Sequence, residues 1–265
     1  MYLIDYHVHT SHSIDCEVKG EEMLKSAISL GIKEIAFTDH IEFDSRYNYI
    51  NQKEYFNELS ELKEKYKDKI KLLYGGEISL ESTRSTEINN LIESNAFDFI
   101  IGSSHSVTLK DLYFDQKELF ENSDKKEMYT LYLTELIKNI NSCRDFSVYG
   151  HLDFVSRYGM YEDNSILYKD YSDYFDEILK ALINSDKGIE LNTSGYRYGI
   201  NSPYPQFDII KRYKELGGEI ITVGSDSHYA KDVGANLDLA YEILKKAEFR
   251  YITTFEKKKP AFVKI

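Results

Sequence analysis

The sequence predicts an α/β domain built on a parallel sheet of about seven strands, either closed into a barrel or left open and doubly wound. Three observations carry that expectation. Short apolar runs of strand character recur seven times, with segments of helical period between them. Glycine stands at several helix-to-strand passages, where a helix end favours a left-handed backbone. No Pro/Gly-rich or low-complexity linker interrupts the 265 residues, which therefore read as one domain, 1–265.

The elements follow in order. A strand over 2–6 leads to a helix over 20–30, and Gly31 in "SLGIKEIAF" turns the chain into a strand over 33–38. Helices over 52–67, 84–94 and 125–143 precede strands over 70–74, 97–102 and 146–149. A helix over 171–185 passes into a strand over 187–191 containing Gly188, and a helix over 205–216 passes through Gly217 and Gly218 to a strand over 219–223. A helix over 232–247 comes next, and "YITTFEKKK" is expected to add a short closing strand. Strands alternating with helices in this way imply right-handed crossovers. Long loops near 41–51, 106–124 and 158–170 are candidate lids or substrate loops.

Composition narrows the function. No apolar stretch of about 18 residues suggests a membrane span, and Met1 leads into a strand without a basic, hydrophobic signal segment. Two cysteines, Cys16 and Cys143, cannot form a disulfide framework, so a reducing cytoplasm is expected. A net charge of −12 disfavours extended contact with nucleic acid or anionic lipid. A small anion could still bind at a locally positive centre such as a metal cluster.

The histidines point to such a centre. His7 and His9 end the first strand, and His40, His105, His151 and His228 follow the second, fourth, fifth and seventh. Glu77 holds the equivalent place after the third, and Asp226 stands beside His228. Parallel α/β folds gather their sites at the C-terminal ends of strands. Any one histidine there is an ordinary hydrogen-bonded residue. Six of seven on one rim, with carboxylates between them, form a donor set suited to Zn, Fe or Mn.

The motifs "DYHVHTSHSID", "FTDHIEF", "GGEIS", "IGSSH", "GHLDF" and "GSDSH" resemble, in order, those of the PHP (polymerase and histidinol phosphatase) family. "TDHIEF" and "IELNTSG" are similar to its stand-alone histidinol-phosphatase branch. The resemblance runs from residue 5 to about 230. It implies a distorted (β/α)7 barrel with three divalent metal ions at the C-terminal ends of the strands. It further implies His7, His9, Glu77 and Asp226 around one ion. Glu77 would bridge to a second with His105 and His151, and Asp15, His40 and His228 would hold the third. Some relatives carry histidine where Asp15 stands; aspartate is a competent oxygen ligand. His12 has no ligand role in this pattern and reads as a loop residue or a partner of a ligand.

Clustered divalent ions suit phosphate ester hydrolysis, because they neutralise phosphate oxygens, activate a bridging water and stabilise the leaving alkoxide. The expected reaction is hydrolysis of L-histidinol phosphate by hydroxide attack on phosphorus, with a place in histidine biosynthesis. Glu77, Asp15, Asp226 and His228 are the candidate catalytic groups. Arg157 and Arg197, two of only seven arginines, sit on the expected rim and are candidate phosphate ligands. Glu42 and Asp44 are candidate contacts for a substrate amine or imidazole, or solvated loop acids. Cys16 reads as a small buried thiol.

Other substrates stay open on these grounds: a sugar phosphate, a nucleotide or phosphotyrosine. A nuclease is disfavoured by the acidic balance, a silent regulatory domain by the complete ligand set, and an amidohydrolase by the later motifs. Oligomeric state is not legible.

Overall fold

The computed structural model describes residues 1–47 and 50–265. Asn48 and Tyr49, within the expected 41–51 loop, lie outside the described residues. Seven parallel strands form the centre: β1 (Ile4–Val8), β2 (Glu34–Phe37), β3 (Lys71–Ser79), β4 (Phe99–Ser103), β5 (Val148–Tyr149), β6 (Gly188–Asn192) and β7 (Ile221–Gly224). They pair in sequence order, β1 to β7. The circuit closes only near the C-terminal ends, through a bridge between Val8 and Ser227 and a bond from the Asp226 N–H to the His7 carbonyl at 2.7 Å. The result is the distorted, nearly closed (β/α)7 barrel that the motifs implied.

The longer helices are α1 (Gly20–Ser29), α2 (Gln52–Tyr66), α3 (Ser85–Ser94), α4 (Lys125–Ser142), α5 (Ser172–Asn184), α6 (Phe207–Glu215) and α7 (Leu237–Lys246). Local chemistry starts two of them: Asn51 accepts from the Glu54 N–H ahead of α2, and Asp124 from the Glu127 N–H ahead of α4. The strands are almost wholly buried, so they read as continuous apolar runs rather than alternating ones. Among the described residues no helix is long and apolar enough to cross a membrane.

A bulge in β1 matters for the site. Asp5 pairs with Ile35 but Val8 with Phe37, so β1 carries one extra residue. Tyr6 and His7 can therefore both reach inward: the Tyr6 ring is 4.9 Å from Phe99 on β4, and His7 meets Glu190 on β6.

Two expectations need correction. "YITTFEKKK" does not close the barrel: β8 (Tyr251–Glu256) pairs antiparallel with β9 (Lys259–Lys264) as a hairpin. Its turn takes Lys257 and Lys258 at positive φ, and their N–H groups bond to Asp98. Phe255 packs on Phe99, and Thr253 Oγ1 accepts from the Ile221 N–H, so the hairpin seals the N-terminal mouth. The last helix starts at Leu237 rather than 232, because Gly234 and Asn236 take left-handed conformations and the Gly234 N–H is drawn to Asp5. The 106–124 and 158–170 loops also hold short elements, among them Ser106–Val107 paired with Lys110–Asp111 and a helix over Gln116–Phe120.

Candidate metal centre

All nine expected ligands meet at the C-terminal mouth. His9, Asp15, His40 and His228 each offer a donor within 4.8 Å of the others, as do His7, Glu77 and His151, and His7, His9 and Asp226. Glu77 stands between the groups. Its Oε1 lies 2.8 Å from His151 Nε2 and 3.3 Å from His105 Nε2, and its Oε2 lies 3.3 Å from His7 Nε2. The two-residue strand His40–Ile41 pairs with β3 so that His40 is the register partner of Glu77. Asp15 Oδ2 lies 3.0 Å from His228 Nε2 and 3.5 Å from His40 Nε2.

These donors suit cations better than they suit one another. His40 Nδ1, Glu77 Oε2 and His228 Nε2 are buried without a well-aligned hydrogen bond among the described residues, despite carboxylate or imidazole atoms about 3.0 Å away. His7 and His9 turn Nε2 toward Nε2 at 3.1 Å. The His9 ring also stacks on His228 at 4.1 Å and lies 4.3 Å from His40. Crowded lone pairs of this kind are what a divalent ion relieves.

The electrostatics agree. Burial, aided by the neighbouring His228 and His40, pushes His9 down to about 3, so it holds a free lone pair. Burial alone would raise Glu77, but the charges of His7, His105 and His40 outweigh it and hold the carboxyl well below its usual range. Asp226 is depressed against burial in the same way, by His7, His9 and His228. Burial would lower His105, but Glu42 and Glu77 raise it to about 10.

Three buried carboxylates that the sequence reading did not single out anchor parts of the cluster. Asp39 accepts from the Thr10 N–H, Thr10 Oγ1 and Ser13 Oγ, and His9 Nδ1 lies 3.0 Å from the same Ser13 Oγ. Asp5 accepts from the N–H and Oγ of Ser225. Glu190 Oε1 lies 2.6 Å from His7 Nδ1. The available signal for Asp5 and Glu190 was a carboxylate within a short strand, since such groups are rarely buried without a partner.

Beside the cluster is a cleft of about 470 Å³, lined by Ile14, Tyr47, Asp111, Tyr113, Phe114, Phe154, Arg157 and Tyr158 as well as metal-site residues. Two larger grooves, of about 910 and 920 Å³, lie on the outer surface and hold none of the convergent histidines. Arg157 lies over the Tyr198 ring, 3.4 Å from its centroid, and its closest carboxylate among the described residues is Asp226 Oδ2 at 4.0 Å. An arginine so weakly paired beside a cleft is a ready anion site.

The other expected substrate contacts are placed differently. Arg197 Nη2 donates to the carbonyls of Ser225 and Asp226, at 2.5 and 2.8 Å. It thus braces Asp226, whose φ of 54° is a left-handed conformation that a non-glycine residue needs help to keep. Glu42 is buried and accepts from His105 Nδ1 through Oε1, so that oxygen is not free for a substrate amine. Asp44 pairs with Arg46, which also forks onto Asp115 and so ties the 41–51 loop to the 106–124 loop. His12 turns away to Glu58 at 2.9 Å, and the Cys16 thiol donates to the His228 carbonyl.

Comparison with known proteins gives the site its context. The PHP domain family model matches residues 5–194. The histidinol-phosphatase of Lactococcus lactis subsp. lactis is 36% identical over 259 residues, covering 96% of this chain and 95% of that protein. A probable histidinol-phosphatase of Clostridium acetobutylicum is 31% identical over 263 residues, covering 97% and 98%. The crystal structure of the Lactococcus lactis histidinol phosphate phosphatase, complexed with zinc, L-histidinol and phosphate, superposes with a TM-score of 0.92 at 34% identity, covering 98% of each chain.

Proposed function

The chain belongs to the PHP domain family, and we infer from its rim and its relatives that it is a metal-dependent histidinol-phosphatase. It hydrolyses L-histidinol phosphate, a small phosphate ester, to L-histidinol and phosphate. The observation that carries this reading is the convergence of nine imidazole and carboxylate groups, Glu77 among them, beside a cleft with a weakly paired arginine.

The finer reading is as follows. His7, His9, Glu77 and Asp226 would hold one ion; Glu77, His105 and His151 a second; Asp15, His40 and His228 a third. The donor chemistry suits Zn, Fe or Mn. When bound, such ions screen the phosphate oxygens, activate water and stabilise the leaving alkoxide.

The chain's own groups do the rest. Arg157 grips the phosphate oxygens with its fork, held flat by Tyr198. Glu77 and Asp226, kept ionised by the imidazoles around them, serve as ligands rather than acids. Asp15 and His228 at the cleft wall are spent as ligands in this reading, so the leaving oxygen takes its proton from water in the cleft. The aromatic wall of Tyr47, Tyr113, Phe114 and Tyr158 receives the imidazole end and excludes water.

The whole of 1–265 works as one domain in this reading. In its support, β7, beyond the matched residues, completes the barrel that they begin, and the hairpin packs against it. The cytoplasm is the proposed place of work. The test is to purify the protein without chelator, measure bound metals, and assay L-histidinol phosphate beside a panel of sugar phosphates, nucleotides and phosphotyrosine. A clear preference for L-histidinol phosphate with metal bound is expected. Preference for another ester would overturn the substrate, and turnover undiminished after metal removal would overturn the mechanism.

A further inference from the structure

We propose that Glu190, on β6, is a positioning residue that presets His7 for the metal centre and ties it to the loop carrying His151. The proposal rests on the reading of His7 and His151 as ligands.

Glu190 lies deep in the barrel, 1% exposed. Oε1 is 2.6 Å from His7 Nδ1, and Oε2 accepts from the His151 N–H at 3.3 Å and from Asn192 Nδ2 at 3.2 Å. Three donors surround the carboxylate, whose oxygens accept. His7 must then carry its proton on Nδ1, leaving the Nε2 lone pair to face Glu77 and Asp226, 3.3 and 3.7 Å away. A carboxylate behind a ligating imidazole fixes its tautomer and ring orientation and makes it a stronger donor.

The barrel is shaped around this carboxylate. A Cβ at Gly224 would lie 2.5 Å from Glu190 Oε1 and 2.4 Å from the His7 Cβ. A Cβ at Gly150, just before His151, would lie 3.3 Å from Oε2 and 2.7 Å from Ile101. Two neighbouring strand ends therefore lack side chains where Glu190 needs room. Glu190 contributes no donor to the ligand groups themselves, so it acts through His7 and the backbone of His151.

The experiment compares wild type, Glu190→Gln and Glu190→Ala, with His12→Ala as a reference outside the site. Metal retained is measured against graded chelator, together with kcat and KM for L-histidinol phosphate. Glutamine keeps one acceptor but turns an amide donor toward the His151 N–H. We expect both Glu190 variants to release metal at roughly 10–100-fold lower chelator concentration than wild type. Lost kcat should be partly restored by excess zinc, with a smaller change in KM. Equal retention and equal kcat in the variants would overturn the proposal while leaving the metal reading intact; wild type that binds no metal would instead overturn that reading. Should the variants not fold, wild-type zinc protein labelled at its histidine ring nitrogens answers the question. A proton on His7 Nδ1 is expected, and the opposite tautomer would overturn the assignment.

Discussion

The guanidinium of Arg157 lies 3.4 Å from the centroid of the Tyr198 ring. The ring holds the fork flat at the cleft without neutralising it, since Asp226 Oδ2 is 4.0 Å away. Charge-assisted bonds to phosphate are worth about 1.5–3 kcal/mol each. Arg157→Ala should therefore lower kcat/KM about 10–100-fold while bound metal, measured by atomic absorption, stays at the wild-type level. Lysine in its place restores charge but not the fork or the stack, and should recover only part of the loss.

Arg197 should behave differently. Removing it releases the carbonyls of Ser225 and Asp226 and leaves the left-handed Asp226 without its brace. Arg197→Ala is expected to melt several degrees lower and to lose metal to weaker chelation than wild type, whereas Arg157→Ala does neither. Unchanged melting and metal retention would return Arg197 to a direct phosphate contact.

The imidazoles predict a pH dependence. In the metal-free protein burial would lower His7 and His105, but Glu190 and Glu77 raise the first, and Glu42 and Glu77 raise the second to about 10. A raised value in the folded state means that the proton stabilises the fold. The His105 contribution is full below the unfolded value of about 6.5 and is lost as pH rises through about 10. Zinc requires the same protons to leave. Binding near neutral pH should thus release protons, and affinity should climb with pH. Calorimetry in two buffers of different ionisation enthalpy measures this directly; no proton uptake by buffer would contradict it.

His12 supplies the contrast. It faces Glu58 and the edge of the Tyr55 ring, away from the cluster. His12→Ala should keep full metal content and a kcat within about twofold of wild type, with stability changed by no more than about 1 kcal/mol, as for a partly exposed hydrogen-bonded pair. A loss of metal would place it in the site after all.

The sequence made the barrel legible because each strand is a short apolar run and each ligand sits at the same place relative to its strand. The convergence of His7, His105 and His228 could thus be anticipated without coordinates. What lay beyond reach depended on where a side chain turns. Glu42 and Arg197 are on the expected rim, but whether a carboxylate meets a substrate or His105, or a guanidinium meets phosphate or two carbonyls, is decided by neighbours distant in the chain. Glu190 was overlooked because "IELN" reads as an ordinary strand, and its partners come from β1 and from the loop after β5. The β8–β9 pairing was missed because "EKKKP" looks like a solvated tail, whereas Lys257 and Lys258 form the turn and Pro260 falls within β9.

The plug that β8 and β9 place across the far mouth leaves the cleft beside Arg157 as the opening of the cluster among the described residues. If histidinol sits against the aromatic wall with its phosphate at Arg157, the alcohol stands between the anion and solvent. Departure is then ordered, alcohol first. Inorganic phosphate, the last to go, should compete with substrate for the free enzyme, whereas added histidinol should inhibit in a noncompetitive pattern.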